Sequence, residues 1–138
     1  MSEFTANALQ TVLQGEDVAF TETPVCGTKC IVHRQGSGVV KLRGITNQCK
    51  ARFLVSYSGN IQIPTGGTVE AISLAIAIDG EPLQSTRMIV TPAAAENMFN
   101  VSAQVYVDVP CGCCSTIAVQ NTSGQTIEVQ NSNLIVVR

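Results

Sequence analysis

At 138 residues the chain fits one domain, large enough to bury a core without needing metal or disulfides merely to fold. Hydrophobic residues make up 45% and charged residues only 13%, where ordinary globular chains carry about 25% charged, and the net charge is −2. The basic residues are scattered, aromatics are 4% and Trp is absent, which argues against nucleic-acid binding; no run approaches the roughly 18 apolar residues of a membrane helix.

So little charge predicts a surface partly handed to neighbouring subunits. The plainer alternative is a surface rich in Ser, Thr, Asn and Gln, which this chain also has. The first residues, MSEFTANALQ, carry neither a basic n-region nor an apolar h-region, so no secretory signal is expected and synthesis is expected in the cytosol.

Residues 1–16 read as an N-terminal arm, apart from a domain spanning 17–138. The arm is polar and small. Leu9, Val12 and Leu13 fall at helix-like spacing, which suits a short helix or a loose segment. From residue 17 onward the pattern is strand and turn. Strands are predicted at 17–21, 30–34, 39–43, 51–57, 69–78, 84–90, 98–109, 115–120, 126–130 and 134–137. Turn signals separate them, among them Gly36-Ser37-Gly38, Ser58-Gly59-Asn60, Pro64-Thr65-Gly66-Gly67, Asp79-Gly80 and Asn131-Ser132-Asn133. Many short strands at this spacing predict an all-β antiparallel sandwich or barrel.

Alternation predicts which faces are buried. In 98–109, Phe99, Val101, Ala103, Val105, Val107 and Val109 share one face and polar residues the other. In 69–78, Ile72, Leu74, Ile76 and Ile78 line one face and Ala71, Ser73, Ala75 and Ala77 the other. That small, uncharged second face suits close approach by another sheet or subunit.

The order of these elements resembles a known family. ARFLVSYSGNIQI, VEAISLAIAIDGEPLQST, FNVSAQVYVDVPCGC and STIAVQNTSGQTIEVQNSNLIVVR are similar to the TNF/C1q-like jelly roll over residues 17–138. More narrowly, IVHRQGSG, LRGITNQCKARF, PTGGTVEAISLAIAIDGEPL, IVTPAA and IEVQNSNLIV resemble small prophage-encoded head or capsid decoration proteins of anaerobic Firmicutes. The resemblance implies a homotrimer, made in the bacterial cytoplasm and placed on the capsid exterior of a virion, with the major capsid protein as partner. It implies no enzyme activity. Phe4, Leu9, Val12 and Leu13 of the arm become candidate shell contacts, and Ala75 and Ala77 candidate subunit contacts. The competing functions are a receptor- or glycan-binding trimeric knob and a disulfide-linked surface or spore assembly protein. A knob usually follows a collagen-like or coiled-coil stalk, and 16 residues are too few to make one.

Six cysteines fall in three places: Cys26 and Cys30, Cys49, then Cys111, Cys113 and Cys114. Cys26, Cys30, Cys111 and Cys113 could give four soft ligands for structural zinc, with His33 as an alternative ligand, although the spacing is not the paired CxxC form. No other cofactor is expected. A disulfide between the 26–30 and 111–114 loops is the second reading, with Cys114 also a candidate and adjacent Cys113 and Cys114 pointing to opposite sides of a strand. The plain reading treats some cysteines as small apolar residues, and Cys49 fits that best. A nucleophilic cysteine would need a base, and His33 is the only histidine. The glycine pairs lack the Lys-Ser/Thr of a phosphate loop, Asp79 and Glu81 lack the rest of a calcium loop, and no paired carboxylates suggest hydrolysis. Asn100-Val101-Ser102 and Asn121-Thr122-Ser123 match the N-glycosylation acceptor.

Overall fold

The computed structural model describes residues 1–25 and 29–138; Cys26 lies outside the described residues. Two antiparallel sheets face each other. The first runs β10 (Phe99–Pro110), β6 (Lys50–Gln62), β12 (Ile127–Val137), β1 (Ser2–Ala6), β3 (Glu22–Val25), with β2 (Gln10–Val12) also on β12. The second runs β4 (Ile31–His33), β5 (Val40–Arg43), β11 (Cys114–Asn121), β7 (Ile72–Ile78), β8 (Glu81–Pro82), with β9 (Met88–Val90) also on β7. A 3-10 turn at Gln84–Thr86 is the only helical element among the described residues.

Period-two alternation builds the core between the sheets. Phe53, Val55, Tyr57 and Ile61 point inward from β6, Ile72, Leu74 and Ile76 from β7, and Val101, Val107 and Val109 from β10. Phe20 and Tyr57 meet edge to face at 6.4 Å between ring centroids. Removing this apolar surface from water, at about 25 cal/mol per Å², is the main force holding the layers together.

The first 16 residues correct the reading of them as an arm. β1 pairs with β12 (Ser2 opposite Val136, Ala6 opposite Ser132) and lies inside the sheet. Ser2, Phe4 and Ala6 form its inward row, and Val12 of β2 faces Ile127 of β12. The helix-like spacing of Leu9, Val12 and Leu13 loses to β12, which offers its backbone to both segments. Phe4 (2% exposed) and Val12 (1%) are therefore core residues, not shell contacts.

Other local readings shift for visible reasons. Residues 17–21 make one bridge, Asp17 to Gln120, before β3 begins at Glu22. Ser58-Gly59-Asn60 is no turn, and β6 runs straight through it. Gly59 stands there because a Cβ would lie 2.5 Å from the Tyr57 hydroxyl, which hydrogen-bonds the Ser132 hydroxyl at 3.0 Å. Asn131-Ser132-Asn133 is a bulge inside one continuous β12. Asn131 takes φ 55°, and the pairing with β6 shifts between Gln130 and Asn133. Asp79-Gly80 is the expected hairpin turn: both residues have positive φ (53° and 85°) and Ile78 faces Glu81.

The predicted 84–90 strand is broken. Residues 84–87 leave the edge of β7 between the Ala77–Pro82 and Leu74–Met88 pairs. The Ile76 carbonyl still accepts from the Leu83 N–H at 2.9 Å, and the buried Thr86 hydroxyl accepts from the Ile76 N–H at 3.0 Å while donating to the Leu83 carbonyl at 2.8 Å. One side chain thus supplies the acceptor of a missing strand residue.

Candidate functional site

Three regions of the surface carry the chemistry. The first is the outward face of the first sheet. Its rows follow from the register: Tyr106, Leu54 and Val137; then Gln104, Ser56, Ile135 and Glu3; then Ser102, Ser58, Asn133 and Thr5. Tyr106 is 66% exposed. Three carboxylates on this face are tied to neighbours, while Glu22, opposite Thr5, is exposed. Asn133 Nδ2 donates to Glu3 at 2.9 Å, and Gln62 Nε2 donates to Glu128 at 3.2 Å. Arg52 grips Asp108 in two-pronged fashion at 2.8 and 3.2 Å, and Lys50 Nζ adds a third contact at 3.1 Å. Hydrogen bonds from Arg52 and Lys50 hold the Asp108 carboxyl down at about 2. The Arg52 guanidinium also sits 5.8 Å from the Tyr106 ring centre. The centre of the face is thus polar with its charges paired, while the buried Thr5 hydroxyl has no partner among the described residues, and Tyr106, Leu54 and Val137 form an apolar corner.

The second region is the cysteine-bearing end of the sandwich. Cys49, Cys111, Cys113 and Cys114 are exposed there, on the 44–49 loop and around the β10–β11 turn. The main chain holds this end. Gly44 N–H donates to Cys113 O at 2.9 Å, Gly112 N–H to Gly44 O at 3.0 Å, and Cys111 N–H to Cys49 O at 3.0 Å. Gly44 packs so close that a Cβ would lie 2.1 Å from the Pro110 carbonyl oxygen. Cys30 is buried, and its sulfur accepts from Arg138 Nη1 at 3.1 Å.

No group of three or more potential metal ligands converges among the described residues. The zinc reading of Cys30, Cys111 and Cys113 therefore gains nothing, and Cys26 lies outside the described residues. Among the described residues His33 joins no metal-ligand group with the cysteines. Its Nε2 lies 2.8 Å from the Ser37 carbonyl and its ring packs 4.6 Å from that of Phe4. Asp79 is no calcium ligand in a loop; its Oδ1 accepts from the Thr116 N–H at 2.9 Å and fixes the hairpin.

The third region is a shallow groove of about 360 Å³ across the outward face of the second sheet, bordered by Gln14, Pro82, Gln84, Arg87, Gln120 and Thr122. Ala75 and Ala77 belong to this face but are 1% and 2% exposed. Their methyl groups lie low beside bulkier neighbours: Ala75 faces Gln120 and Ala77 faces Pro82. They offer no surface to a partner. Arg87 Nε donates to Ser73 Oγ at 3.3 Å, and no carboxylate lies within ion-pair distance of it among the described residues.

Leu9 and Leu13, at 46% and 50% exposed, keep their side chains available. Sequence reasoning missed Asn121, which matched a glycosylation acceptor but is 1% exposed. Its Nδ2 reaches the carbonyls of Val12 (3.0 Å), Leu13 (3.3 Å) and Gln125 (3.0 Å), and its Oδ1 accepts from Ser123 N–H at 2.9 Å. Ser123 in turn accepts from Ser73 N–H at 2.7 Å. The long separation of Asn121 from Val12 and Leu13, and of Ser123 from Ser73, hid the network.

No family model matches the chain, and no curated protein matches its sequence. Solved structures match the fold. The globular domain of zebrafish complement 1qA protein superposes with a TM-score of 0.64 at 9% identity, covering 97% of this chain and 94% of that one. Eiger TNF from S. frugiperda gives 0.67 at 13% identity, covering 99% and 90%. Murine APRIL gives 0.59 at 12% identity, covering 93% and 96%. The fold is the TNF/C1q-like jelly roll. At these identities the likeness speaks for architecture alone.

Proposed function

We propose that this chain is a non-enzymatic structural protein that works as a homotrimer, and that the trimer decorates the outside of a phage head. The observation that carries the trimer is the outward face of the first sheet. Its Glu3, Glu128 and Asp108 carboxylates already have donors, so covering them costs little, and Tyr106 at 66% exposure supplies an aromatic anchor beside Leu54 and Val137. Closed three-fold packing would bury that face without open-ended growth. Decoration of a shell rests on the resemblance of IVHRQGSG, IVTPAA and the other quoted phrases to prophage head proteins. Leu9 and Leu13 are the remaining candidate shell contacts.

Light scattering with and without reductant tests the trimer. The expected mass is near three times 14.6 kDa under both conditions, falling toward one copy in Tyr106→Glu. A monomeric wild type would overturn it, and large species that collapse only on reduction would favour a disulfide-linked assembly. Co-sedimentation with empty phage shells tests the decoration; a trimer that stays in the supernatant would overturn that part alone.

One observation favours the knob as a second reading: Arg87 lies at the groove without a carboxylate partner among the described residues, amid amides and a hydroxyl suited to a carboxylated saccharide. Calorimetric titration with oligoglucuronate, with Arg87→Ala as control, decides it. No heat, or heat that Arg87→Ala leaves unchanged, removes this reading.

A further inference from the structure

We infer that Cys49 and Cys111 are a cross-strand thiol pair that closes to a disulfide within one chain under oxidising conditions. The register places them. Val109 of β10 faces Ala51 of β6, and Pro110 faces Lys50. One step beyond the strand ends Cys111 comes opposite Cys49, and the ladder continues, with Cys111 N–H donating to Cys49 O at 3.0 Å. Residues directly opposite in an antiparallel pair send their side chains to the same face. Opposed residues in an antiparallel ladder have Cα atoms about 4.5 to 5.5 Å apart, inside the range a disulfide spans. Both cysteines are exposed, so a small oxidant reaches them. The main-chain bonds between the 44–49 loop and the β10–β11 turn hold the two in place before any sulfur bond exists.

Cys113 and Cys114 lack this arrangement: Cys114 faces Arg43, and Cys113 follows the Gly112 turn. In the reduced protein the Cys111 thiol donates to the Thr46 carbonyl at 3.1 Å, so closure needs only that this thiol turn from Thr46 toward Cys49.

The chemistry is thiol–disulfide exchange with a low-molecular-weight disulfide. One cysteine, as thiolate, attacks the small disulfide, breaks its S–S bond and releases one small thiol, leaving a mixed disulfide. The second cysteine, as thiolate, attacks the protein sulfur of that bond and releases the second small thiol. Two protein thiols are oxidised to one S–S bond, the small disulfide is reduced to two thiols, and the protons lost by the cysteines pass to the departing thiolates. The pair closes in oxidising surroundings and opens in reducing ones, tying the start of β6 to the end of β10. None of this depends on the number of subunits.

The test is incubation of the native protein with oxidised glutathione, then intact mass and peptide mapping without reduction. Cleavage after Arg43 and Lys50 isolates Cys49 on the 44–50 peptide, apart from every other cysteine. The expected product is that peptide crosslinked to the one bearing Cys111, with fragmentation assigning the bond to Cys111. In a Cys26→Ser, Cys30→Ser, Cys113→Ser, Cys114→Ser background the mass should fall by roughly 2 Da, the two hydrogens lost. The thermal midpoint should rise by roughly 10 °C on closure, and Cys49→Ser in that background should abolish both changes. If the background variant fails to fold, mapping of the wild type decides alone. Cys49 left alkylatable, a bond from Cys49 to Cys113 or Cys114, or a bond between two chains would each overturn the inference.

Discussion

The two ends of the sandwich are fastened by different means. At the cysteine end, main chain binds main chain: Gly44 to Cys113, Gly112 to Gly44, Cys111 to Cys49. At the opposite end, a side-chain network adds to main-chain bonds such as Thr122 N–H to Ser73 O at 3.1 Å. Asn121 gathers three carbonyls, Ser123 bonds both the N–H and the carbonyl of Ser73, and Gln125 does the same for Thr68. A backbone-held end tolerates most residue types and fails only where a new atom will not fit. A side-chain-held end depends on a few identities and is lost when one is removed. The free thiols sit at the tolerant end, where sequence can change without loosening the fold.

Single substitutions probe that contrast. Asn121→Ala should have the largest effect, about 3 kcal/mol lost in denaturant unfolding, because it strips donors from buried carbonyls. A loss under about 1 kcal/mol would mean that water replaces the amide and that this end is not side-chain-held. Gly44→Ala should cost about 2 kcal/mol, since its Cβ would meet the Pro110 oxygen at 2.1 Å. Hydrogen exchange should then quicken at Gly112 and Cys113 while Ser73 and Ser123 stay protected; uniform quickening would join the two ends into one unit.

Tyr57 lies in the shared middle and gives a pH handle on both. Burial, partly offset by the Ser132 hydrogen bond, pushes its hydroxyl up to about 12. The folded chain holds this proton more tightly than the unfolded chain does. Its contribution is therefore complete below about pH 10 and is lost as pH rises from 10 toward 12, by about 2 kcal/mol. Unfolding curves across that range should show the drop, and Tyr57→Phe should flatten it. The smallest effect belongs to Cys113→Ser. An exposed side chain at the backbone-held end should change stability by less than about 0.5 kcal/mol in reductant.

Most strands were legible because one face of each carries a clear apolar row. β6, β7, β10 and β11 overlap the strands predicted at 51–57, 69–78, 98–109 and 115–120. The readings that failed share a cause. Gly59, Asn131 and residues 84–87 answer to partners outside their own turn: the Tyr57 hydroxyl held by Ser132, the register with β6, and the edge of β7. Local turn chemistry cannot see such partners. The same is true of Asn121, whose Val12 and Leu13 contacts span most of the sequence. At the cysteine end the composition was plain but the pairing was not. Cys49 read as a filler residue because only the β6–β10 register puts it opposite Cys111. The surface reading divides likewise. The polar face of 98–109 is open to solvent as alternation required, whereas the alanine face of β7 is closed by its own neighbours.

The place of β1 between β12 and β3 has a consequence in time rather than in space. β1 is completed by β12, about 130 residues further along, with Ser2 waiting for Val136. During synthesis the inward row of Ser2, Phe4 and Ala6 has no lasting partner until β12 has left the ribosome. Folding of this sheet therefore waits for β12. It is governed by loop closure across nearly the whole chain, and it should be slow beside that of a helical domain of equal length. Any chain cut short before β12 would leave β1 and β6 with open edges, ready to pair with whatever strand arrives first.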